Sequence, residues 1–228
     1  MRDTPARTPE GDGSDSWGAL ARDARSHLLR SALPVLLPVA VMWVLLLVRL
    51  VTGNWLTLSL SLEARELSGL IGIVTMPLVH SGFAHLIGNT AAWLLLGGLI
   101  ALLDRRFPLI LLLIWLLSGA VLWVIGTPWV CQAPGSLDCA GHHIGASGVT
   151  YGFGAFLIAY GLLTRRIVAV LVAVLVLLVH GVSMLFGMLP FTAGTGVSWT
   201  AHLSGAIAGV VVALLMTRTT RAARAARA

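Results

Sequence analysis

The chain has 228 residues, of which 57% are apolar and only 11% charged, with a formal net charge of +6. A soluble core cannot absorb that much apolar sequence gathered into runs as long as a bilayer core is thick, so the chain falls in the helical membrane class. All the basic residues are arginines, and membrane topology accounts for where they sit, so the charge calls for no nucleic-acid partner.

Residues 1–30 carry Pro5, Pro9, Gly11 and Gly13 among mixed charges and read as a disordered cytosolic leader. Within it, Trp17 to Leu29 sets Leu20, Leu28 and Leu29 among arginines, a pattern shared by a helix lying on a membrane and by a solvated linker. A cleaved signal peptide is not expected, because the first apolar run starts late and is long enough to span. Six runs of about 18 to 22 residues qualify as spans. They cover approximately Ala32 to Val51, Phe83 to Leu103, Pro108 to Ile125, Ala146 to Leu163, Ile167 to Met188 and Trp199 to Met216. Residues 31–217 thus form one transmembrane domain, and 218–228 a basic cytosolic tail.

Arg2, Arg7, Arg22, Arg25 and Arg30 precede span one. Arg105 and Arg106 link spans two and three, Arg165 and Arg166 link spans four and five, and Arg218, Arg221, Arg224 and Arg227 follow span six. Only Arg49 and Arg65 fall on the other side, so both termini are expected in the cytoplasm. The outer segment from Thr52 to Ser81 is apolar with interspersed charge and reads as short interfacial helices. Cys131 and Cys139 share the outer loop after span three, where either a disulfide or two free thiols is open. The segment from Leu189 to Ser198, with Pro190, Gly194 and Gly196, reads as a flexible outer loop.

Polar side chains inside spans are costly and mark functional candidates. His85 and Asn89 lie in span two, Ser147 and Tyr151 in span four, His180 in span five and His202 in span six. Even-numbered spans run in one direction, so the first turns of spans two, four and six gather His85, Asn89, Ser147 and His202 within roughly 10 Å of the outer interface. Gly148 and Gly152, and likewise Gly205 and Gly209, are four apart and present faces on which two helices can touch. That approach is needed if Ser147 is to pass a proton to His202 as general base. Because the spans hold no Asp or Glu, a Ser-His dyad is simpler than a triad. Tyr151, one turn after Ser147, is placed to pack on His202.

Asn89, His85 and the backbone N–H of Ser147 are candidate donors to an oxyanion; interhelical glue is the competing role for Asn89 and His85. His80 lies just outside span two as a loop-holding residue, and His142 and His143 read as a solvated loop pair. His180 has no evident partner and reads as a satisfied core imidazole or a helix-end residue. No HExxH occurs, and His80 and His85 are five apart, so neither a metal site nor any cofactor is expected.

In order, HSGFAHLIGN (His80 to Asn89), GASGVTYG (Gly145 to Gly152) and AHLSGAIAG (Ala201 to Gly209) resemble the rhomboid intramembrane serine proteases. The resemblance implies an all-α, six-transmembrane-helix bundle in a bacterial plasma membrane. It implies Ser147 as nucleophile and His202 as base, with Asn89 and His85 flanking the oxyanion and Tyr151 stacked on His202. Single-span membrane proteins, cut near the outer interface at a small residue, are the implied partners within the lipid bilayer. The alternative is an inactive rhomboid-like protein that binds membrane clients. A transporter is disfavoured by the lack of repeats and by polar groups gathered at one end of the bundle. One departure stands out: where rhomboids often carry a Trp-Arg pair shortly before the position of Thr75, this chain has Ile71 and Gly72.

The arginine distribution is tested by labelling. A cysteine introduced at Gly194 is expected to react with a membrane-impermeant reagent from outside, and one beside Arg165 only after the membrane is opened; the reverse pattern would invert the bundle.

Overall fold

The computed structural model describes residues 13–127, 141–190 and 197–225. Among the described residues, six helices are long and apolar enough to cross a membrane. Span one is part of the helix Gly13–Thr52. Span two is Phe83–Leu103, span three Phe107–Ile125, span four Ser147–Thr164, span five Ile167–Gly187, and span six the start of the helix Trp199–Ala225. The helix that contains span one begins at Gly13, within the segment read as a leader, and the helix of span six continues through Ala225 into the basic tail.

Spans four and six are the centre of the bundle: 61% of each one's apolar window is buried, against 17% in span one and 22% in span five. Leu36, Leu47, Leu102 and Leu178 on the outer spans are exposed, as side chains facing lipid must be. The glycines explain the contrast. A Cβ built on Gly205 would overlap the Gly148 carbonyl oxygen, and one on Gly209 would overlap that of Gly152. The two backbones therefore touch, a packing available only to residues without side chains.

Beside them, Trp93 of span two is fully buried, edge-on to Phe153 at 5.1 Å and to Trp115 at 5.7 Å. Its indole N–H donates to the Val35 carbonyl of span one at 2.9 Å, so the ring fills the core without leaving a polar atom unpaired. Span two is π-helical over Trp93–Gly97. That wider turn rotates the lower half of the helix and brings Gly97 against Phe153, where an added Cβ would lie 3.2 Å from the ring.

At the lower end, where span two ends and span three begins, Asp104 and Arg106 form an ion pair at 2.7 Å. Tyr160 of span four donates to Asp104 at 3.3 Å, and Arg106 reaches the Met216 carbonyl of span six at 3.3 Å. Burial alone would push the Asp104 carboxyl up; the hydrogen bonds and charge of Arg106, with the Tyr160 hydroxyl, outweigh it and hold the carboxyl below its usual range.

At the upper end, where spans two, four and six begin, the first loop is ordered by short helices, Trp55–Ser59 and the run Ser68–Leu78. A strand pair accompanies them that the alternation of residues did not announce: β1 (Leu62–Glu63) runs antiparallel to β2 (His142–His143). Gly69 and Gly72 lie directly on β1, since a Cβ at either would overlap its backbone. The loop lacks the Trp-Arg pair, yet it is tied to span three by other groups. Arg65, in the left-handed region at φ 64°, donates to the Val124 and Gly126 carbonyls at 3.0 and 2.8 Å, satisfying the exposed helix end. The Trp115 and Trp123 indoles donate to the Val74 and Glu66 carbonyls, and Thr75 to that of Leu60 at 2.7 Å.

The packing of spans four and six is tested by adding one methyl group. Gly205→Ala is expected to destabilise the fold by about 1–3 kcal/mol, the usual cost of overpacking. Gly88→Ala, where a Cβ meets nothing within 4 Å, is expected to be neutral or slightly stabilising. Melting in detergent checks both; equal effects would show that the glycines of span six are not at a backbone contact.

Candidate active site

Three segments of the upper end supply the site. Span four begins at Ser147, and the turn before it is set by Gly145 at φ 99°, a left-handed conformation that strongly favours glycine. Space also demands glycine: a Cβ there would fall 2.6 Å from His85 Nε2 and 3.7 Å from Asn89 Nδ2. Two hydrogen bonds hold the turn. Gly145 N–H donates to the Met76 carbonyl at 2.9 Å, and Ala146 N–H donates to His80 Nε2 at 3.4 Å.

His80 is 1% exposed. Burial first, and then the neighbouring His85 ring 4.9 Å away, push the His80 imidazole down to about 3, so it is neutral and can accept an N–H. The Ala146 bond makes Nε2 the acceptor and places the proton on Nδ1.

As the first residue of a helix, Ser147 offers a backbone N–H with no carbonyl one turn back to bond, and Gly148 does the same. His85 Nε2 and Asn89 Nδ2 lie against the Gly145 turn that leads into these N–H groups. The hydrogen bonds of His85 and Asn89 stay within their own segment: Ser81 Oγ to His85 Nδ1 at 3.1 Å, and Asn89 Nδ2 to the His85 carbonyl at 2.9 Å. Neither joins span two to another span among the described residues, which is what glue would require.

His202 lies in the first turn of span six, four residues after Ser198. Its ring stacks on Tyr151 with centroids 3.9 Å apart and planes 7° from parallel. Its Nδ1 is 2.9 Å from the Gly187 carbonyl. A carbonyl only accepts, so Nδ1 carries the proton and Nε2 keeps a lone pair. Tyr151 is in turn fixed by its hydroxyl, which donates to the Ser183 carbonyl at 3.2 Å. Gly148, beside Ser147, lies against Ala201, beside His202, where an added Cβ would be 3.1 Å from the Ala201 carbonyl oxygen. The Ser147 hydroxyl makes no hydrogen bond to the His202 ring in this geometry.

Two expectations change, and one group was not anticipated. His142 and His143 are not a solvated pair: His142 Nδ1 lies 2.8 Å from Ser61 Oγ and 3.2 Å from Glu63, and His143 is 3% exposed with Nδ1 2.8 Å from Ser198 Oγ. The β1 and β2 pairing draws them inward, and no local periodicity signals a pairing between residues eighty apart. His180 is not a satisfied imidazole, because its Nε2 is buried without a partner. The Gly187 carbonyl on His202 had no sequence signal at all, being a main-chain group. Cys131 and Cys139 lie outside the described residues.

The buried imidazoles set a pH dependence. Burial first, then His142, push His143 down to about 4. Folded values below the ordinary 6.5 of His80 and His143 mean that the unfolded chain takes up protons first. Their stability contribution is complete above about pH 6.5 and is lost as pH falls toward 4 and 3, at up to about 1.4 kcal/mol per pH unit for each. Melting in detergent from pH 7.5 to 4 is expected to fall through that window, and less steeply in His143→Asn; a flat profile would show both rings to be solvated.

The sequence has counterparts elsewhere. A family model described as the rhomboid domain matches residues 67–219. An uncharacterized protein of Mycobacterium tuberculosis (strain H37Rv) is 38% identical over 189 residues, 82% of this chain and 75% of that protein. An uncharacterized protein of Mycobacterium bovis matches to the same extent. One of Mycobacterium leprae is 38% identical over 156 residues, 68% of this chain and 59% of its own length. The matched region takes in the Gly145 turn, the glycine contact of spans four and six, and His80, His85, Asn89, Ser147 and His202 at their upper end, and the chain belongs to the rhomboid family.

Proposed function

We propose that this chain is an intramembrane serine endopeptidase that cleaves single-span membrane proteins near the outer interface, with its upper end facing outward and both termini in the cytoplasm. The observation that carries this reading is the state of His202. A carbonyl holds its Nδ1 proton and Tyr151 holds its plane, leaving Nε2 as a base beside the helix that begins with Ser147. The Gly187 carbonyl does what a carboxylate does in a triad, fixing tautomer and orientation, without placing a charge in the membrane.

In the proposed reaction Ser147 Oγ attacks the scissile carbonyl as its proton passes to His202 Nε2. The oxyanion forms beside the N–H of Ser147, with Asn89 Nδ2 and His85 Nε2 as further donors. His202 then gives its proton to the leaving amine, and the acyl group remains on Ser147. Water attacks this ester, its proton going to His202, and collapse of the second tetrahedral species releases the acid and restores the hydroxyl. The open Ser147 to His202 distance closes as substrate binds, as catalytic hydrogen bonds often do. No cofactor or metal enters these steps.

Cleavage of a reporter transmembrane segment is expected to vanish in Ser147→Ala and His202→Ala and to survive chelators. A fluorophosphonate should label Ser147 in the wild type and not in Ser147→Ala. Asn89→Ala is expected to lower kcat by at least about tenfold with KM and melting nearly unchanged. A wild type that neither cuts nor labels would return the chain to the inactive, client-binding alternative, and an Asn89→Ala variant that melts early but turns over normally would make Asn89 structural.

A further inference from the structure

The strand pair at the upper end has a function beyond closing a loop. His143 lies four residues before Ser147, and Ser198 lies four residues before His202. Their side chains meet at 2.8 Å between His143 Nδ1 and Ser198 Oγ. Ser198 Oγ also accepts from the Ala201 N–H at 3.1 Å, the N-cap bond of span six, and lies 3.2 Å from Thr200 Oγ1. The Ser198 carbonyl receives the His202 N–H at 3.2 Å. Both the side chain and the main chain of Ser198 therefore fix the turn that carries His202.

On the other side, His143 is held by its own backbone. It pairs with Leu62 in β1, and its ring is buried with Nε2 beside Gly126, where an added Cβ would be 3.1 Å away. The segment between His143 and Ser147 is held again by Met76 and His80. Spans four and six thus meet at two levels. Below Ser147 they touch through Gly148 and Ala201, and above it they are joined by the His143 and Ser198 bond. One contact alone leaves the first turn of span six free to swing about the glycines; two contacts limit that swing, and so limit how far His202 can move from the helix that begins with Ser147.

We propose that His143 and Ser198 are a positioning pair that sets the separation of Ser147 and His202 by latching the N-terminus of span six to the strand leading into span four. The inference rests on the protease reading and adds to it two residues that touch neither substrate nor the reacting atoms. A misplacement of about 1 Å between such groups costs on the order of a hundredfold in rate, so loss of the latch acts on turnover and leaves substrate binding alone.

The test uses the full chain in proteoliposomes, reading kcat and KM on a reporter segment, the rate of fluorophosphonate labelling of Ser147, and melting. His143→Ala and Ser198→Ala are each expected to lower kcat and labelling rate by at least about tenfold with KM within about twofold. The double variant should be no worse than the poorer single one, because both remove the same bond. His143→Asn, which keeps a polar group near the Nδ1 position, should restore most of the rate. If His143→Ala does not fold, Ser198→Ala against Ser198→Thr makes the same comparison, since threonine keeps the capping oxygen. Wild-type kcat in both single variants, losses that multiply in the double variant, or a change confined to KM would overturn the latch while leaving the protease standing. A wild type that does not label would overturn the protease reading, and the latch with it.

Discussion

The backbone contact between spans four and six is the constraint on which the rest of the structure depends. Lipid offers no hydrophobic reward for helix association, so helices in a membrane gain from close packing and from polar groups they can satisfy jointly. Gly148, Gly152, Gly205 and Gly209 let two main chains touch along two turns. Because that contact sits one residue from Ser147 and three from His202, it brings a short hydroxyl and an imidazole on different helices to one depth. Met76 and Ile114 close in beside the glycines, and Trp93, Phe153 and Phe107 pack edge to edge in the neighbouring core.

Most buried polar groups of the upper end find partners, as the bilayer demands, with His80 Nδ1 and His143 Nε2 as exceptions. What differs is where they find them. His80 accepts from the main chain of Ala146, His202 meets the main chain of Gly187, and Asn89 donates to the main chain of His85. Using carbonyls and amides as partners fixes tautomers and orientations with no ionised group in the membrane. Among the groups it leaves unclaimed are the N–H groups at the start of span four and the Nε2 of His202, which are groups that acyl transfer needs.

The bundle is closed differently at its two ends. The lower end uses an ion pair, Asp104 with Arg106, reaching Tyr160 and the end of span six, where arginine and water are at hand. The upper end uses hydrogen bonds to main-chain groups and a two-residue strand pair, with His142 against Glu63 and Arg65 on the carbonyls that end span three. Ile71 and Gly72 fit this arrangement: Gly72 packs on the backbone of β1, where a larger residue has no room. The first loop is thereby a platform that holds both the turn before Ser147 and the strand of His143.

The sequence by itself determined the class, the spans and the identity of the polar groups, because these follow from quantities that are local. Apolar run length against bilayer thickness marks a span, and glycines four apart mark a helix face. The rarity of His, Ser and Asn in lipid marks His85, Asn89, Ser147 and His202 before any contact is known. Only the tertiary structure decided which nitrogen of His202 holds its proton, since its partner is a carbonyl that any residue at position 187 would carry. It also decided that His143 is buried and bonded to Ser198, because a strand pair between residues 62 and 143 is a long-range event with no period to reveal it. The same holds for Arg65, whose left-handed backbone and hydrogen bonds to the end of span three depend on where that helix stops in space, a fact that no run of neighbouring residues encodes.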